Sequence, residues 1–388
     1  MRTRIAIEEL EQHSLAPYAM HSRDSAGRQY SEPHHELRTC YQRDRDRIVH
    51  SQAFRKLEYK TQVFVIFEGD YYRTRLTHTI EVAQIARTIG RSLSLNEDLI
   101  EAVALAHDLG HPPFGHAGEE ALNNIMKKAG LPGFNHNKRS FEIVTKFEKR
   151  YPHFDGLNLS AEVLVGILKH RTLYDFPGVS EKFVNEEPAL EAQVVDIADS
   201  LAYLNHDVDD GITSGCITEK DLTESLLWQN ALRKVKETLN TSDQEMLKYQ
   251  IVKELIDRQV KDLLTASSER LRKADFKSSQ EVKKHKSRLI DFSPEMASER
   301  NHLQELLSKK FYHHYRVERM TTKARRIIDD LFEVYKNNPK QLPYSVYRRD
   351  QRHSEAEQYE VICNYIASMT DRHALDEHKR FFDPYEKV

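Results

Sequence analysis

Glycine is scarce in this chain, with 13 among 388 residues, about 3% against an average near 7%. Turn-rich β-folds need glycine wherever the backbone reverses, so this shortage removes most of them at the outset. What replaces glycine is long runs of Glu, Lys, Leu, Ala and Arg, the residues that lose least in a helix. Charged residues make up 31% and hydrophobic residues 39%, a balance met when many helices each bury one stripe and solvate the other. The fold class read from this is all-α.

The apolar spacing locates the helices. Leu76, Ile80, Ala83, Ala86, Ile89 and Leu93 recur at three and four, predicting a helix from about Thr74 to Leu93. Asn96 stands as the cap of the next, with apolar positions from Leu99 to about Leu109. HPPFGHAG then breaks the regularity, because Pro112, Pro113 and Gly115 do not continue a helix comfortably. A further helix is predicted from Pro188 to Asp207, and charged and apolar residues alternate in helical rhythm over 217–335. Residues 1–40 are polar and poorly periodic and read as an arm over the core, and NNPKQLP interrupts the C-terminal part. The division read from these signals is an arm and basic helix over 1–59, a chemical core over 60–215 and an associated helical region over 216–388.

A net charge of −3 gives no overall attraction to nucleic acid or to an anionic membrane. Cys40, Cys216 and Cys363 are odd in number and far apart, which suits a reduced cytoplasm. No stretch approaches the roughly 20 apolar residues that span a bilayer, and the N-terminal residues hold no signal-peptide core. Arg43, Arg45, Arg47 and Arg55 alternate with Asp44 and Asp46, as in a self-paired cluster rather than a nucleic-acid patch. The basic run Arg270–Arg288 reads as a solvated surface, with single-stranded DNA as the partner to test by salt dependence. Tyr312, His313, His314 and Tyr315 fit either packed aromatics or a contribution to a pocket.

The chemistry-bearing residues are His78, then His107 with Asp108, then Asp199. Imidazole with carboxylate suits water-activating divalent ions such as Mn, Fe, Zn, Ni or Co, and Mg where phosphate completes the shell. His107 and Asp108 follow five apolar residues, 102–106, where an unpartnered aspartate is costly to bury. His107, His111 and His116 then crowd into ten residues among proline and glycine. Around Asp199, the positions Leu190, Val194, Ile197, Leu201, Leu204 and Val208 form one apolar stripe. Asp196, Asp199, Tyr203, Asp207 and Asp210 lie opposite, with Asp196 and Asp210 expected to face solvent. Val195, Ala198 and Ala202 widen the apolar surface, so a covered carboxylate there needs a cation or hydrogen-bond donors.

HDLGHPPFGHAGE at 107–119 resembles the signature of the HD-superfamily deoxynucleoside-triphosphate triphosphohydrolases, the bacterial dGTP triphosphohydrolases and their relatives, among them the vertebrate SAM-and-HD-domain dNTPase. The likeness extends in order through RDRDRIVHSQAFRKLEYKTQVF (43–64), RTRLTHTIEVAQIAR (73–87), FNHNKRS (134–140), GLNLSAEVLVGILKH (156–170), ADSLAYLNHDVDD (198–210) and MTDRHAL (369–375). The resemblance implies an HD-domain helical core with N- and C-terminal helices packed around it. His78, His107, Asp108 and Asp199 match the metal ligands, with Mg or Mn the first expected ions. His116 with Glu119 matches the His–acid pair at the scissile phosphate, His111 and His136 match histidines of the phosphate pocket, and Arg75 a phosphate-binding arginine. Tyr203 matches a tyrosine bordering triphosphate and sugar, Gln62 and Asp207 match contacts to the deoxyribose 3′-hydroxyl, and Val63 lies beside the sugar C2′.

The implied activity is cleavage of a dNTP at the α-phosphate to deoxynucleoside and tripolyphosphate, in a homo-oligomer (tetramer or hexamer) that takes a dNTP effector between subunits. Two departures stand out: Arg139 occupies the place of the family's glutamine in HNxQS, read as a phosphate or subunit contact, and Ser200 follows Asp199 where relatives carry a charge. Two other readings stay open: an HD-type phosphodiesterase or nucleotidase, and a catalytically idle nucleotide-sensing or DNA-binding protein.

Overall fold

The computed structural model describes residues 1–62, 73–170, 187–241, 243–346 and 354–387. They are helical, with isolated β-bridges and no strand among the described residues, as the glycine shortage predicts. In chain order come α1 (Arg4–Ser14), α2 (Cys40–Val49), α3 (Gln52–Lys56), α4 (Arg75–Ser92), α5 (Glu97–Ala106), α6 (Gly115–Lys128), α7 (His136–Glu142), α8 (Ala161–Leu168) and α9 (Leu190–Thr213). There follow α10 (Glu219–Leu222), α11 (Leu226–Thr238), α12 (Gln244–Ala274), α13 (Ser279–Lys284), α14 (Pro294–Leu307), α15 (Tyr315–Asn337), α16 (Glu355–Ala367) and α17 (Asp371–Phe382).

The central element is α9, which packs against α4, α5, α8, α12 and α14. Surrounded in this way, it buries both its apolar stripe and its acidic face, and it continues past the predicted end at Asp207 to Thr213. The extension is held by charge pairing, since Arg73 meets Asp210 at 2.7 Å and Asp209 at 2.9 Å, and Lys248 meets Asp209 at 2.9 Å. In α4 the buried face is Val82, Ala83, Ile85, Ala86 and Ile89, while Ile80, counted in the predicted stripe, is 52% exposed. The arm over residues 1–40 contains a regular helix, α1, which its polar face concealed. Thr3 caps it, and its buried Glu11 accepts from the Ser22 backbone and hydroxyl.

Asn96 caps α5 as expected, accepting from Asp98 N at 3.1 Å and Leu99 N at 3.2 Å, while its own amide donates to the Met20 carbonyl at 2.9 Å. Asn96→Ala is therefore expected to destabilise the fold by about 1–2 kcal/mol. Urea denaturation checks this, and an unchanged midpoint would mean that the cap is idle.

Two apolar clusters organise the chain. The larger takes residues from Ala19 to Val317. The smaller joins Phe114, Leu122 and Met126 of the α6 region to Ile327, Ile328, Leu331 and Phe332 of α15, Ile362 and Ile366 of α16 and Ala374 of α17. The segment that begins with the HDLGHPPFGHAGE loop thus buries its far side in the C-terminal helices. No helix among the described residues is long and apolar enough to cross a membrane.

Candidate active site

Three elements bring His78, His107 and Asp199 together, and Asp108 adjoins them beside His107. His78 comes from the second turn of α4, His107 and Asp108 from the end of α5, and Asp199 from the middle of α9. One ligand atom from each of His78, His107 and Asp199 lies within 4.8 Å of the other two. Hydrogen bonding orients the lone pairs. His107 Nδ1 sits 2.6 Å from the Ala104 carbonyl, which only accepts, so this nitrogen carries the hydrogen. Burial pushes the ring's pKa down, leaving it neutral with Nε2 bare. That bare nitrogen makes no hydrogen bond among the described residues and faces Asp108 Oδ1 at 3.4 Å and Asp199 Oδ1 at 3.8 Å.

His78 is set the same way through a relay. His206, pushed down to about 4 by burial, donates from Nε2 to Glu81 at 2.7 Å, and Glu81 is held at about 2, against burial, by His206 and Arg73. His206 Nδ1 is then an acceptor for His78 Nδ1 at 3.3 Å, which turns the lone pair of His78 Nε2 onto Asp199 Oδ1 at 2.8 Å. Two imidazole lone pairs aimed at one carboxylate repel unless a cation lies between them. Ligand atoms about 2.0–2.2 Å from an ion stand roughly 3 Å apart, so these residues fit a divalent ion. Against the cost of burial, the imidazoles of His170, His78 and His107 keep Asp199 well below its ordinary pKa, and His107, Arg75 and His111 do the same for Asp108.

A second cluster adjoins the first. Arg75 Nη1 donates to Asp108 Oδ2 at 2.9 Å, while its Nε and Nη2, fully buried, have no hydrogen-bond partner among the described residues. His111 Nδ1 lies 3.0 Å from Asp108 Oδ1, and burial with the charges of Arg75 and His136 pushes its pKa well down. The ring of His111 stacks on His136 at 3.8 Å. Gly110 makes that stacking reachable, because a Cβ there would lie 2.1 Å from the His136 carbonyl oxygen and 2.3 Å from Ser140 N. Glu119, read from the sequence as the partner of His116, is nearer to His136. It accepts from His136 N at 2.9 Å and from His136 Nδ1 at 3.0 Å, whereas His116 Nδ1 stands at 3.7 Å. Against burial, His136 and His116 hold Glu119 well below its ordinary pKa.

Tyr203 and Asp207 follow Asp199 on α9, and Gln62 precedes α4. Gln62 is buried with Oε1 unbonded among the described residues, and the half-buried Tyr203 ring meets His116 edge-on at 6.3 Å. Burial pushes the Asp207 carboxyl well up, opposed by a hydrogen bond from the Tyr312 hydroxyl. Val63 lies outside the described residues.

Several participants were not singled out from the sequence. His170, in the quoted GILKH block, stands with Nδ1 2.7 Å from Asp196 and Nε2 3.2 Å from Asp199, and despite burial these carboxylates raise its pKa well above the ordinary value. Tyr312, from an aromatic run with two open readings, packs beside Phe311 and donates its hydroxyl to Asp207. Asp196 and Asp210, expected in solvent, are each 5% exposed, because α9 is covered on both faces and their charges are met by His170 and Arg73. Within this chain Arg139 donates to Asn364 Oδ1 at 2.7 Å and lies over Phe147. Ser200 receives Arg300 at 3.0 Å. Arg43, Arg45 and Arg47 are paired both within the cluster and outside it: Arg45 with Asp46 at 3.2 Å and with Asp98 and Glu101 at 3.4 Å, and Arg47 with Glu32 at 2.9 Å. The basic run is only partly a solvated surface, since Leu271 and Val282 are buried and Arg288 reaches Asp196 at 3.4 Å.

Lys60 lies beneath the loop with its ammonium hydrogen-bonded to the His111 carbonyl, and burial together with Lys56 pushes it down to about 7. An unfolded lysine titrates near 10.4. Between those values the unfolded chain holds a proton that the folded chain has released, so stability rises with pH and is lost as pH falls through about 7. The difference in urea midpoint between wild type and Lys60→Met should widen in favour of wild type from pH 7 to 10. Parallel curves would refute the shift.

An HD-domain family model matches residues 75–204, and a phosphohydrolase-associated domain model matches residues 290–380. A deoxyguanosinetriphosphate triphosphohydrolase-like protein of Geobacter metallireducens is 49% identical over 381 residues, 97% of each chain. Proteins with the same description from Geobacter sulfurreducens and Ralstonia nicotianae are 47% identical, covering 98% and 96% of each chain. The chain belongs to the deoxyguanosinetriphosphate triphosphohydrolase-like family of HD-domain hydrolases.

Proposed function

We propose that this protein hydrolyses deoxynucleoside triphosphates, dGTP or a broader set, at the α-phosphorus to give deoxynucleoside and intact tripolyphosphate. The observation that carries the reading is the convergence of the bare His78 and His107 nitrogens on the Asp199 carboxylate, beside an arginine with uncommitted donors. His78, His107, Asp108 and Asp199 would hold a divalent ion, Mg or Mn first, with Co, Ni, Fe or Zn as substitutes. When bound, that ion supplies Lewis-acid charge at the phosphate it touches.

The chain's own groups account for the rest. Arg75 turns Nε and Nη2 onto the triphosphate, with Asp108 keeping the guanidinium in place. His111, held by Asp108 at 3.0 Å, accepts a proton from the water attacking phosphorus. As the bond from phosphorus to the 5′-oxygen breaks, that oxygen receives a proton from the His116 and His136 pair on Glu119, and the triphosphate leaves whole. Gln62 and Asp207 receive the 3′-hydroxyl, Tyr203 borders the sugar, and Val63 closes the space beside C2′. The catalytic region is 60–215, with 1–59 and 216–388 as its arm and its helical support. In the same reading the protein works in the cytoplasm as a homo-oligomer, a tetramer or hexamer, with a dNTP effector between subunits and single-stranded DNA as a further ligand.

Purified protein incubated with each dNTP and Mg, Mn or Co, with and without a second dNTP, tests this by anion-exchange separation of products. Tripolyphosphate with deoxynucleoside is the expected result. Pyrophosphate or inorganic phosphate would point to an HD-type phosphodiesterase or nucleotidase instead. Tight binding without turnover under every ion would identify a sensing protein.

A further inference from the structure

One buried carboxylate far from the metal cluster in sequence ties together both ends of the pocket. Asp371, the first residue of α17, is 0% exposed. Its Oδ2 accepts from Thr61 N at 2.9 Å and from the Thr61 hydroxyl, and its Oδ1 accepts from Phe114 N at 2.9 Å. Thr61 immediately precedes Gln62, and Phe114 stands two residues before His116.

The second observation is strain at the same point. Phe114 has φ +65° and Gly115 φ +57°, two successive left-handed residues at the start of α6, with no side chain capping that helix end. A bulky residue in this conformation costs on the order of 1–3 kcal/mol and persists only where its surroundings hold it. The Phe114 ring is buried in the C-terminal apolar cluster, and its N–H is taken by Asp371. The turn must also stay close to the 60–62 segment, since a Cβ on Gly115 would lie 3.0 Å from Arg75 Nη2, 3.4 Å from the Thr61 carbonyl oxygen and 3.5 Å from that of Gln62. Two lysines tie the same segment to the end of α16: Lys56 donates to the Ser368 carbonyl at 2.6 Å, and Lys60 bridges the His111 and Ala367 carbonyls.

We propose that Asp371 is a positioning residue for hydrolysis: from α17 it holds the Thr61–Gln62 segment and the Phe114–His116 turn in one register. The sugar-contacting end and the proton-handling end of the pocket are thereby set by a helix with no assigned substrate contact. The roles of Gln62 and His116 in this statement rest on the reading under Proposed function, whereas the tie itself does not.

Asp371→Asn tests it, because a carboxamide has one acceptor oxygen and sets an NH₂ against Thr61 N or Phe114 N. Amide hydrogen exchange, read without substrate, should accelerate in peptides covering 60–62 and 110–116 while those of α9 stay as in wild type. Mn binding should remain within about twofold. Turnover should fall by about tenfold or more, as for a misplacement of reacting groups, and the preference for dNTPs over 2′,3′-dideoxy analogues should shrink with it. Exchange accelerated evenly through the chain, or unchanged turnover and dideoxy discrimination, would overturn the proposal. If wild type hydrolyses no dNTP, the functional reading fails and the exchange pattern alone judges the tie. Should Asp371→Asn not fold, Thr61→Val removes only the hydroxyl donor and is expected to reproduce the local exchange change, with Thr61→Ser restoring it. A Thr61→Val protein identical to wild type would then count against the tie.

Discussion

His107→Ala is expected to abolish divalent-ion binding and take dNTP hydrolysis to background. The side chain presents one lone pair, oriented by the Ala104 carbonyl behind it, between the carboxylates of Asp108 and Asp199. Alanine removes that donor and leaves two buried anions with one ligand fewer to hold the cation that offsets them. The positive groups that remain cannot substitute. Arg75 is committed to Asp108 through Nη1, and His170 is held between Asp196 and Asp199. Calorimetric titration with Mn reads the binding directly, and anion exchange reads the products. A His107→Ala protein that still bound Mn with wild-type affinity would remove the metal centre from this account.

Glu119→Gln should separate proton transfer from metal binding, with turnover falling by about 10²–10⁴ while Mn affinity changes no more than a few-fold. Glu119 accepts from both the backbone and the Nδ1 of His136, and it stands within 3.7 Å of His116. As an anion it fixes His136 Nδ1 as the donor. Glutamine keeps the shape and removes the charge that sets both rings. His116→Ala is expected to retain the metal and to lose at least about 10² in turnover. Comparing the two variants shows how much of the Glu119 effect passes through His136. Wild-type turnover in Glu119→Gln would show that the His–acid pairs carry no proton.

Much of this candidate site is legible in the sequence. Three successive signals point at one place: the apolar run 102–106 ending in His107–Asp108, the histidine-rich break after it, and a helix around Asp199 too apolar to leave its carboxylates in solvent. Each of these is local, within about two turns of chain. His170 escaped notice because nothing near it in the sequence marks it, and its partners Asp196 and Asp199 sit on a different helix. The same holds for His206, whose importance lies in which nitrogen it leaves bare for His78. Asp196 and Asp210 were misjudged for a related reason: periodicity assigns a residue to a face of its helix and does not say whether a second helix covers that face. The family resemblance paired Glu119 with His116, but the closer histidine arrives from α7.

The sequence alone determined the helical class, through its lack of turn residues and its 3.6-residue spacing, and it determined the donor chemistry, because residue type sets whether imidazole and carboxylate are available to an ion. Only the tertiary structure decided which nitrogen of each histidine is bare, which histidine Glu119 holds, and that α17 reaches back to the loop through Asp371. Tautomers and long-range ties depend on what a side chain faces across several ångströms of folded chain, and that is settled by packing between helices rather than by any pattern along one of them.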